Sequence, residues 1–217
     1  MNTIFNEDCR ETLKRDINFN YVFAVPPDFD ELDMNPKDQT TEYMEFLSSV
    51  FEGLIKKCNV ITIAITDRKF DAQIIPKHSI IISYFNLSNF RLISHKIWKK
   101  TDKVNLYRLT YTHIMTFSDI RPKQNHPYYY ETDVYSEPEE KFLGYQYAIP
   151  VEIVKRLVEN FTKEGDIVYD PFMGSGSTAI ACMNLNRNYI GSEIKKEYWR
   201  LSQDRILLEK SKLKYLI

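Results

Sequence analysis

Apolar positions along the 217-residue chain follow two rhythms. Tyr21–Val25 and Val60–Thr66 are continuous apolar runs with the length and β-branched content of strands buried on both faces. Pro26-Pro27 stops the first of them, because proline donates no ladder hydrogen bond and restricts the residue before it. Between the runs, Tyr43, Phe46, Leu47, Val50, Phe51 and Leu54 recur at helical spacing and predict a helix over 42–57. The same spacing, with Ile153, Val154, Leu157, Val158 and Phe161 inward, predicts a helix over 150–161. Thr3–Phe5, Asp166–Asp170 and Tyr189–Glu193 read as further strands, Ser177–Leu185 and Glu197–Leu213 as helices, and Asp8 as the cap of a short helix over 9–14. A helix is expected over 74–86, and two antiparallel strands over 90–98 and 107–117. Residues 119–147 carry proline, tyrosine and acid without a period and are expected to form a long functional loop. Strands alternating with helices imply an α/β fold built on a mostly parallel sheet with an antiparallel edge.

Composition narrows the class without naming a chemistry. Hydrophobic residues at 43% and charged residues at 27% exclude wholesale disorder. No apolar run reaches the roughly 18 residues a membrane helix needs, and residues 1–16 lack the apolar core of a signal peptide. Three scattered cysteines, Cys9, Cys58 and Cys182, fit reduced thiols and a cytoplasmic location, and no metal-binding spacing is present. The net charge of −1 conceals segregation: residues 1–59 sum to −6, residues 86–124 to +6, and residues 125–147 to −4. The basic stretch includes Lys99, Lys100 and Lys103 among aromatics, a pattern suited either to tracking phosphates or to a solvated strand face.

Candidate chemistry centres on Asp170-Pro171-Phe172-Met173-Gly174-Ser175-Gly176-Ser177-Thr178, between a strand and a helix. Glycines there let backbone approach a ligand, and the helix start offers unpaired N–H groups. Glu193 ends the next strand 19 positions after Gly174, a spacing that suits a carboxylate on ribose hydroxyls. The string also fits G-x-G-x-x-A, so a nicotinamide or flavin enzyme stays open, as does a plain tight turn. Asp170, ending the strand, favours a ligand with a cationic or amino group. Only helix, strand and helix follow the loop, so the remaining strands of a nucleotide-binding half must come from residues 3–25. Asp8 would then face the adenine of the same ligand.

These segments resemble the β-class, permuted-order family of S-adenosylmethionine-dependent DNA amino-methyltransferases. "DPFMGSGST" (170–178) and "RNYIGSEIKKEYW" (187–199) are similar to its cofactor motif, "YAIPVEIVKRLVENF" (147–161) to the helix before it, and "NTIFNEDCRETLKRD" (2–16) to its opening. "NYVFAVPPDF" (20–29) stands where the family has its catalytic strand, and "YRLTYTHIMTFSD" (107–119) matches late strands of the catalytic half. The resemblance implies a Rossmann-like methyltransferase domain over 1–217, with circularly permuted motif order and 119–147 as target-recognition or partner loop. It implies S-adenosylmethionine bound by Asp8, Cys9, Ala148, Pro150, Asp170, Phe172, Gly174, Ser175, Gly176 and Glu193. Catalysis would fall to Pro26, Pro27, Asp28 and Phe29, and phosphate contact to Lys99, Lys100 and Lys103. DNA is the implied partner, as a single strand or short site, with a homodimer or a partner methyltransferase subunit and a restriction-modification setting. Adenine N6 is expected ahead of cytosine N4.

The family's tetrapeptide begins with Ser, Asn or Asp and ends with an aromatic. Here it reads Val25-Pro26-Pro27-Asp28. Valine accepts no hydrogen bond and aspartate does not stack, although Phe29 stands one place later. Three readings follow: an active enzyme with a rearranged base site, an impaired homologue serving as a cofactor- or DNA-binding subunit, or altered base-modification chemistry.

Overall fold

The computed structural model describes residues 2–214, apart from 38, 104–105, 107–108, 123–131 and 143–144. In chain order the elements are β1 (Thr3–Phe5), α1 (Cys9–Leu13), β2 (Tyr21–Ala24), a 3₁₀ turn (Phe29–Leu32), α2 (Thr40–Ile55), β3 (Val60–Ile65), β4 (Arg68–Phe70), β5 (Gln73–Ile75) and α3 (Lys77–Leu87). There follow β6 (Arg91–Lys99), β7 (Tyr111–Ser118), β8 (Val134–Tyr135), β9 (Glu140–Phe142), β10 (Tyr145–Ala148), α4 (Val151–Phe161), β11 (Ile167–Asp170), α5 (Ser177–Asn184), β12 (Asn188–Ser192) and α6 (Lys196–Lys214).

Eight strands form one sheet in the order β1-β12-β11-β2-β3-β7-β6-β8. The run from β1 to β3 is parallel, whereas β7 is antiparallel to both β3 and β6. The sheet is therefore mostly parallel at the centre with an antiparallel side, as expected. Alternation along β2 explains its continuous apolar sequence. Tyr21 and Phe23 enter the core shared with α4 and α5, while Val22 and Ala24 enter the core shared with α2 and α3. All four are essentially inaccessible.

The two ends of the described chain meet. Thr3 pairs with Ile190 and Phe5 with Ser192, Glu193 N–H donates to Phe5 O at 3.0 Å, and the Trp199 indole donates to Ile4 O at 2.8 Å. β11 lies between β12 and β2, so the strand before the glycine loop and the strand before Pro26-Pro27 are neighbours despite their sequence separation. Their carboxyl ends open on one side of the sheet, where ligands of α/β sheets bind.

Two expectations need correction. The helix expected from Ile74 begins at Lys77. Pro76 bars the preceding residue from helical geometry, so Gln73–Ile75 folds back on Arg68–Phe70 as a hairpin, with Asp71 and Ala72 at positive φ (47° and 56°) in its turn. The segment 119–147 is not irregular throughout. Val134–Tyr135 adds to the sheet beside β6, and β9 pairs with β10. Tyr128, Tyr129, Tyr130 and Lys123 lie outside the described residues.

Candidate functional site

The glycine loop is fixed by its own backbone. Asp170 at the end of β11 accepts Phe172 N–H on Oδ1 at 2.9 Å and the Thr178 hydroxyl on Oδ2 at 2.5 Å. Met173 N–H donates to Ser192 O at 2.9 Å, which ties the loop to β12. Gly176 caps α5 with φ +85°, and a Cβ there would sit 3.2 Å from the Ser202 side chain, so backbone and α6 approach as only glycine allows. Glu193 closes the arrangement: Oε2 accepts Gly174 N–H at 2.9 Å and Oε1 accepts Lys195 N–H at 2.8 Å.

A cleft of about 1040 Å³, counting its open mouth, lies above these groups. Eight of the ten residues expected at the cofactor line it: Asp8, Cys9, Ala148, Asp170, Phe172, Gly174, Ser175 and Glu193. Pro150 and Gly176 act from behind, as the caps of α4 and α5. Asp8 caps α1 and is held by the Arg10 guanidinium, which draws its carboxyl below the usual range. Burial pushes the Cys9 thiol up to about 12, so it is an uncharged wall. Burial raises Asp170 to about 7 against the opposing Thr178 and Phe172 hydrogen bonds, and it raises Glu193 as well.

Sequence reasoning missed several lining residues. Glu7, Glu31, Phe46 and Tyr198 also face the cleft. Tyr198 falls inside the quoted 187–199 string, and Phe46 belongs to the apolar stripe of α2, where its ring lies 6.2 Å from that of Phe172. Glu31 carried no signal.

A second cavity, of about 560 Å³ counting its open mouth, adjoins the first through Val25, Pro26, Glu31 and Ile149. Thr66, Lys77, Trp98, Lys100 and Thr112 form its farther wall, and Asp28 lines it too. Of the four residues expected to act in catalysis, Pro26 and Pro27 line the first cleft and Asp28 and Phe29 do not. Asp28 is 7% exposed and its carboxylate is committed to structure. Lys77 Nζ donates to it at 2.8 Å, Arg68 lies at 3.6 Å, and it accepts Phe29 N–H at 2.9 Å. Phe29 is fully buried under the 3₁₀ turn, stacked on Tyr43 at 4.3 Å between ring centroids, and lines neither cavity. A ring held there presents no face to a ligand.

The three candidate lysines separate. Lys100 lines the second cavity and donates to Thr66 Oγ1 at 3.0 Å. Lys99 is exposed and pairs with Asp102 at 2.7 Å, and Lys103 is exposed.

Behind the second cavity, Asp67, His78 and His113 bring three metal-capable atoms within 4.8 Å of one another. The two imidazoles lie face to face, 4.0 Å apart and 13° from parallel, so their in-plane lone pairs run side by side instead of converging. His78 Nδ1 is 2.5 Å from Asp67, whose other oxygen accepts His78 N–H at 3.0 Å. Asp67, just past β3, is thus hydrogen-bonded to the start of α3, with His113 Nε2 of β7 at 3.6 Å from its carboxylate. No helix among the described residues is long and apolar enough to cross a membrane.

Comparison with known proteins fits this geometry. The family model for DNA methylases, of the N6/N4 type, matches residues 19–204. The orphan methyltransferase M.BamHII of Bacillus amyloliquefaciens is 48% identical over 58 residues, which cover 26% of this chain and 22% of that protein. The type II methyltransferase M2.DpnII of Streptococcus pneumoniae is 28% identical over 141 residues, covering 55% of this chain and 53% of that one. The chain thus spans about half or less of these two relatives. Among solved structures, the putative DNA modification methylase TTHA0409 of Thermus thermophilus, complexed with S-adenosyl-L-methionine, superposes with TM-score 0.77 at 20% identity, over 96% of this chain and 94% of that one. The cytosine-N4-specific PvuII DNA methyltransferase gives TM-score 0.80 at 16% identity, over 93% and 85%. At these identities the superpositions establish the fold.

Proposed function

The chain belongs to the DNA methylase family, and from that premise we propose that it transfers a methyl group from S-adenosylmethionine to an exocyclic amino group of a DNA base. The cofactor, when bound, supplies a methyl group activated on a sulfonium. The observation that carries the reading is the acidic lining of the first cleft. Glu7, Asp8, Glu31, Asp170 and Glu193 line it, against the single lysine Lys195; Arg15 pairs with Glu7 and Arg10 with Asp8, so the acidic excess rests on Glu31, Asp170 and Glu193. Such a wall favours a cation and opposes the two negative charges of a dinucleotide pyrophosphate. This separates S-adenosylmethionine from the nicotinamide and flavin alternatives that the glycine pattern left open.

In this reading Glu193 keeps lone pairs for ribose hydroxyls while Gly174 and Lys195 N–H groups hold its orientation. Asp8 faces the adenine end, and Asp170, once ionised, faces the cationic end. The second cavity receives the flipped base, whose amino group meets the cofactor at Pro26. Residues 119–147 act as target-recognition or partner segment of one methyltransferase domain, and Lys99, Lys100 and Lys103 contact phosphate.

A second reading rests on the placement of Asp28 and Phe29. With one locked in ion pairs and the other buried, the tetrapeptide lacks its usual acceptor and stacking ring, so an impaired homologue serving as a partner subunit would have this appearance. Two measurements separate the readings. Calorimetry should detect S-adenosylmethionine and not a nicotinamide dinucleotide. Incubation with mixed-sequence DNA and isotopically labelled cofactor, followed by mass spectrometry of the digested nucleosides, should reveal N6-methyladenine or N4-methylcytosine. Binding without any labelled nucleoside would favour the subunit reading, and preference for the dinucleotide would overturn both.

A further inference from the structure

Resting on the methyltransferase reading, we propose that Glu31 supplies the amino-group acceptor that Val25 cannot, so that the acceptor site has moved six residues along the chain onto the 3₁₀ turn.

Removing a proton acceptor from the first position of the tetrapeptide leaves the transfer step with a deficit. An exocyclic amine is a poor nucleophile because its lone pair is delocalised into the ring. A group that accepts its hydrogens turns the lone pair toward the methyl group and stabilises the positive charge that develops on nitrogen. Val25 lines both cavities but has no acceptor atom. Asp28 is withdrawn by Lys77 and by Phe29 N–H. Tyr43 donates to the Pro27 carbonyl at 2.9 Å.

Glu31 is the one carboxylate that lines both the cofactor cleft and the second cavity among the described residues. Its position is not accidental to the turn. Oε2 accepts Asp28 N–H at 2.8 Å, completing a reciprocal capping box with the Asp28 side chain, so one oxygen anchors the side chain and Oε1 remains for a ligand. The Asp28–Lys77 ion pair, which looked like damage to a motif, then has a purpose: it pins the turn that carries Glu31.

The step balances without further reagents. The S–CH₃ bond breaks, the N–CH₃ bond forms, and the sulfonium becomes a neutral thioether. The nitrogen sheds one proton, which passes to Glu31 Oε1 and then to solvent. The Pro26 carbonyl, at the junction of the two cavities, accepts the second amino hydrogen.

Glu31→Gln tests the assignment, because glutamine still accepts Asp28 N–H and preserves the cap while losing the charge and basicity. The parent, Glu31→Gln and the double variant Val25→Asn/Glu31→Gln are compared for labelled methyl transfer to DNA and for the dissociation constant of S-adenosylmethionine. The expected result is a loss of about 100-fold in kcat for Glu31→Gln, far larger than the rise in the dissociation constant that follows from removing one of the cleft's carboxylates. Val25→Asn, which restores an acceptor at the family's position, should recover about tenfold or more of that loss. A parental rate in Glu31→Gln would overturn the proposal and leave the methyltransferase reading standing. So would a cofactor affinity that falls as much as the rate, which would make Glu31 a cofactor ligand, or a rate that Val25→Asn fails to recover. A parent that transfers nothing overturns the methyltransferase reading itself.

Discussion

The two cavities that meet at Pro26 are built by different means. Around the glycine loop, most constraints are short in sequence or involve backbone: Asp170 with Phe172 and Thr178, Gly174 with Glu193, Gly176 against Ser202, with Arg205, itself paired to Glu140, adding side-chain hydrogen bonds to Ser175 and Ser177. Around the second cavity, the constraints are side-chain ion pairs between distant elements. Lys77 reaches Asp28 across 49 positions, and Arg68 forms two hydrogen bonds with Asp30 across 38. A site made from local backbone geometry needs a nearly fixed string of residue types. A site made from long-range charge pairs can change its residues in pairs and still hold its shape.

The sharpest way to break this contrast is at Lys77, which is 2% exposed. Lys77→Met should destabilise the protein by about 3–5 kcal/mol, because the buried Asp28 loses the cation at 2.8 Å while the Arg68 guanidinium lies at 3.6 Å. The double variant Asp28→Asn/Lys77→Met removes both charges and should recover most of that loss. Urea unfolding midpoints of the two singles and the double measure the coupling. If the double is as unstable as Lys77→Met, the ion pair is not what holds the turn.

This contrast also accounts for what could be read from the sequence. The parallel core, the glycine loop, the closure of the sheet by residues 3–5 and the gathering of eight of the ten expected residues along one cleft were legible, because glycine, a strand-ending acid and period-two burial each leave a local mark. Asp28 and Phe29 were misread for the opposite reason. Nothing near them in sequence announces that Lys77 and Tyr43 will claim them, and only the folded hairpin before α3 brings Lys77 into range. Pro76 did carry a usable signal, since a helix over 74–86 conflicts with a proline at its third position. Glu31 was invisible because a glutamate in an acidic stretch resembles any solvated residue.

The next effect is electrostatic and lies on the glycine-loop side. Asp170 is raised by burial from 3.8 to about 7. The folded state therefore holds a proton that the unfolded state releases, so between about pH 4 and pH 7 this group makes the cofactor-free protein less stable as pH rises. A cationic ligand reverses the preference by favouring the ionised carboxylate. Affinity for S-adenosylmethionine should rise about tenfold between pH 6 and pH 8, as the ionised fraction grows through a pKa near 7. Asp170→Asn should bind more weakly at pH 8 and show a flat profile. A parental profile that is already flat would mean that Asp170 does not face the cationic end. Thr178→Val removes the hydroxyl that favours the ionised form and should move the parental rise to higher pH.

The smallest effects separate the lysines, and they test whether the second cavity and the basic strand end form one surface. Lys100 lines the cavity and is held by Thr66, so under the proposed function it would act on a nucleotide already inserted. Lys99 and Lys103 are exposed, and Lys99 would exchange its pairing with Asp102 for a phosphate. Lys99→Gln and Lys103→Gln should each weaken DNA binding at low salt and reduce the slope of log affinity against log salt by at most about 0.9 for each phosphate no longer neutralised. Lys100→Gln should leave that slope nearly unchanged and lower the rate of methyl transfer instead. Binding titrations at three or more salt concentrations, paired with single-turnover transfer, resolve the two kinds of defect. If all three variants change the slope equally, the three lysines form one phosphate-tracking strip and Lys100 belongs to the duplex surface. If none does, the basic charge of residues 86–124 is a solvated face, and the DNA must be held by the cavities and by the segment 119–147.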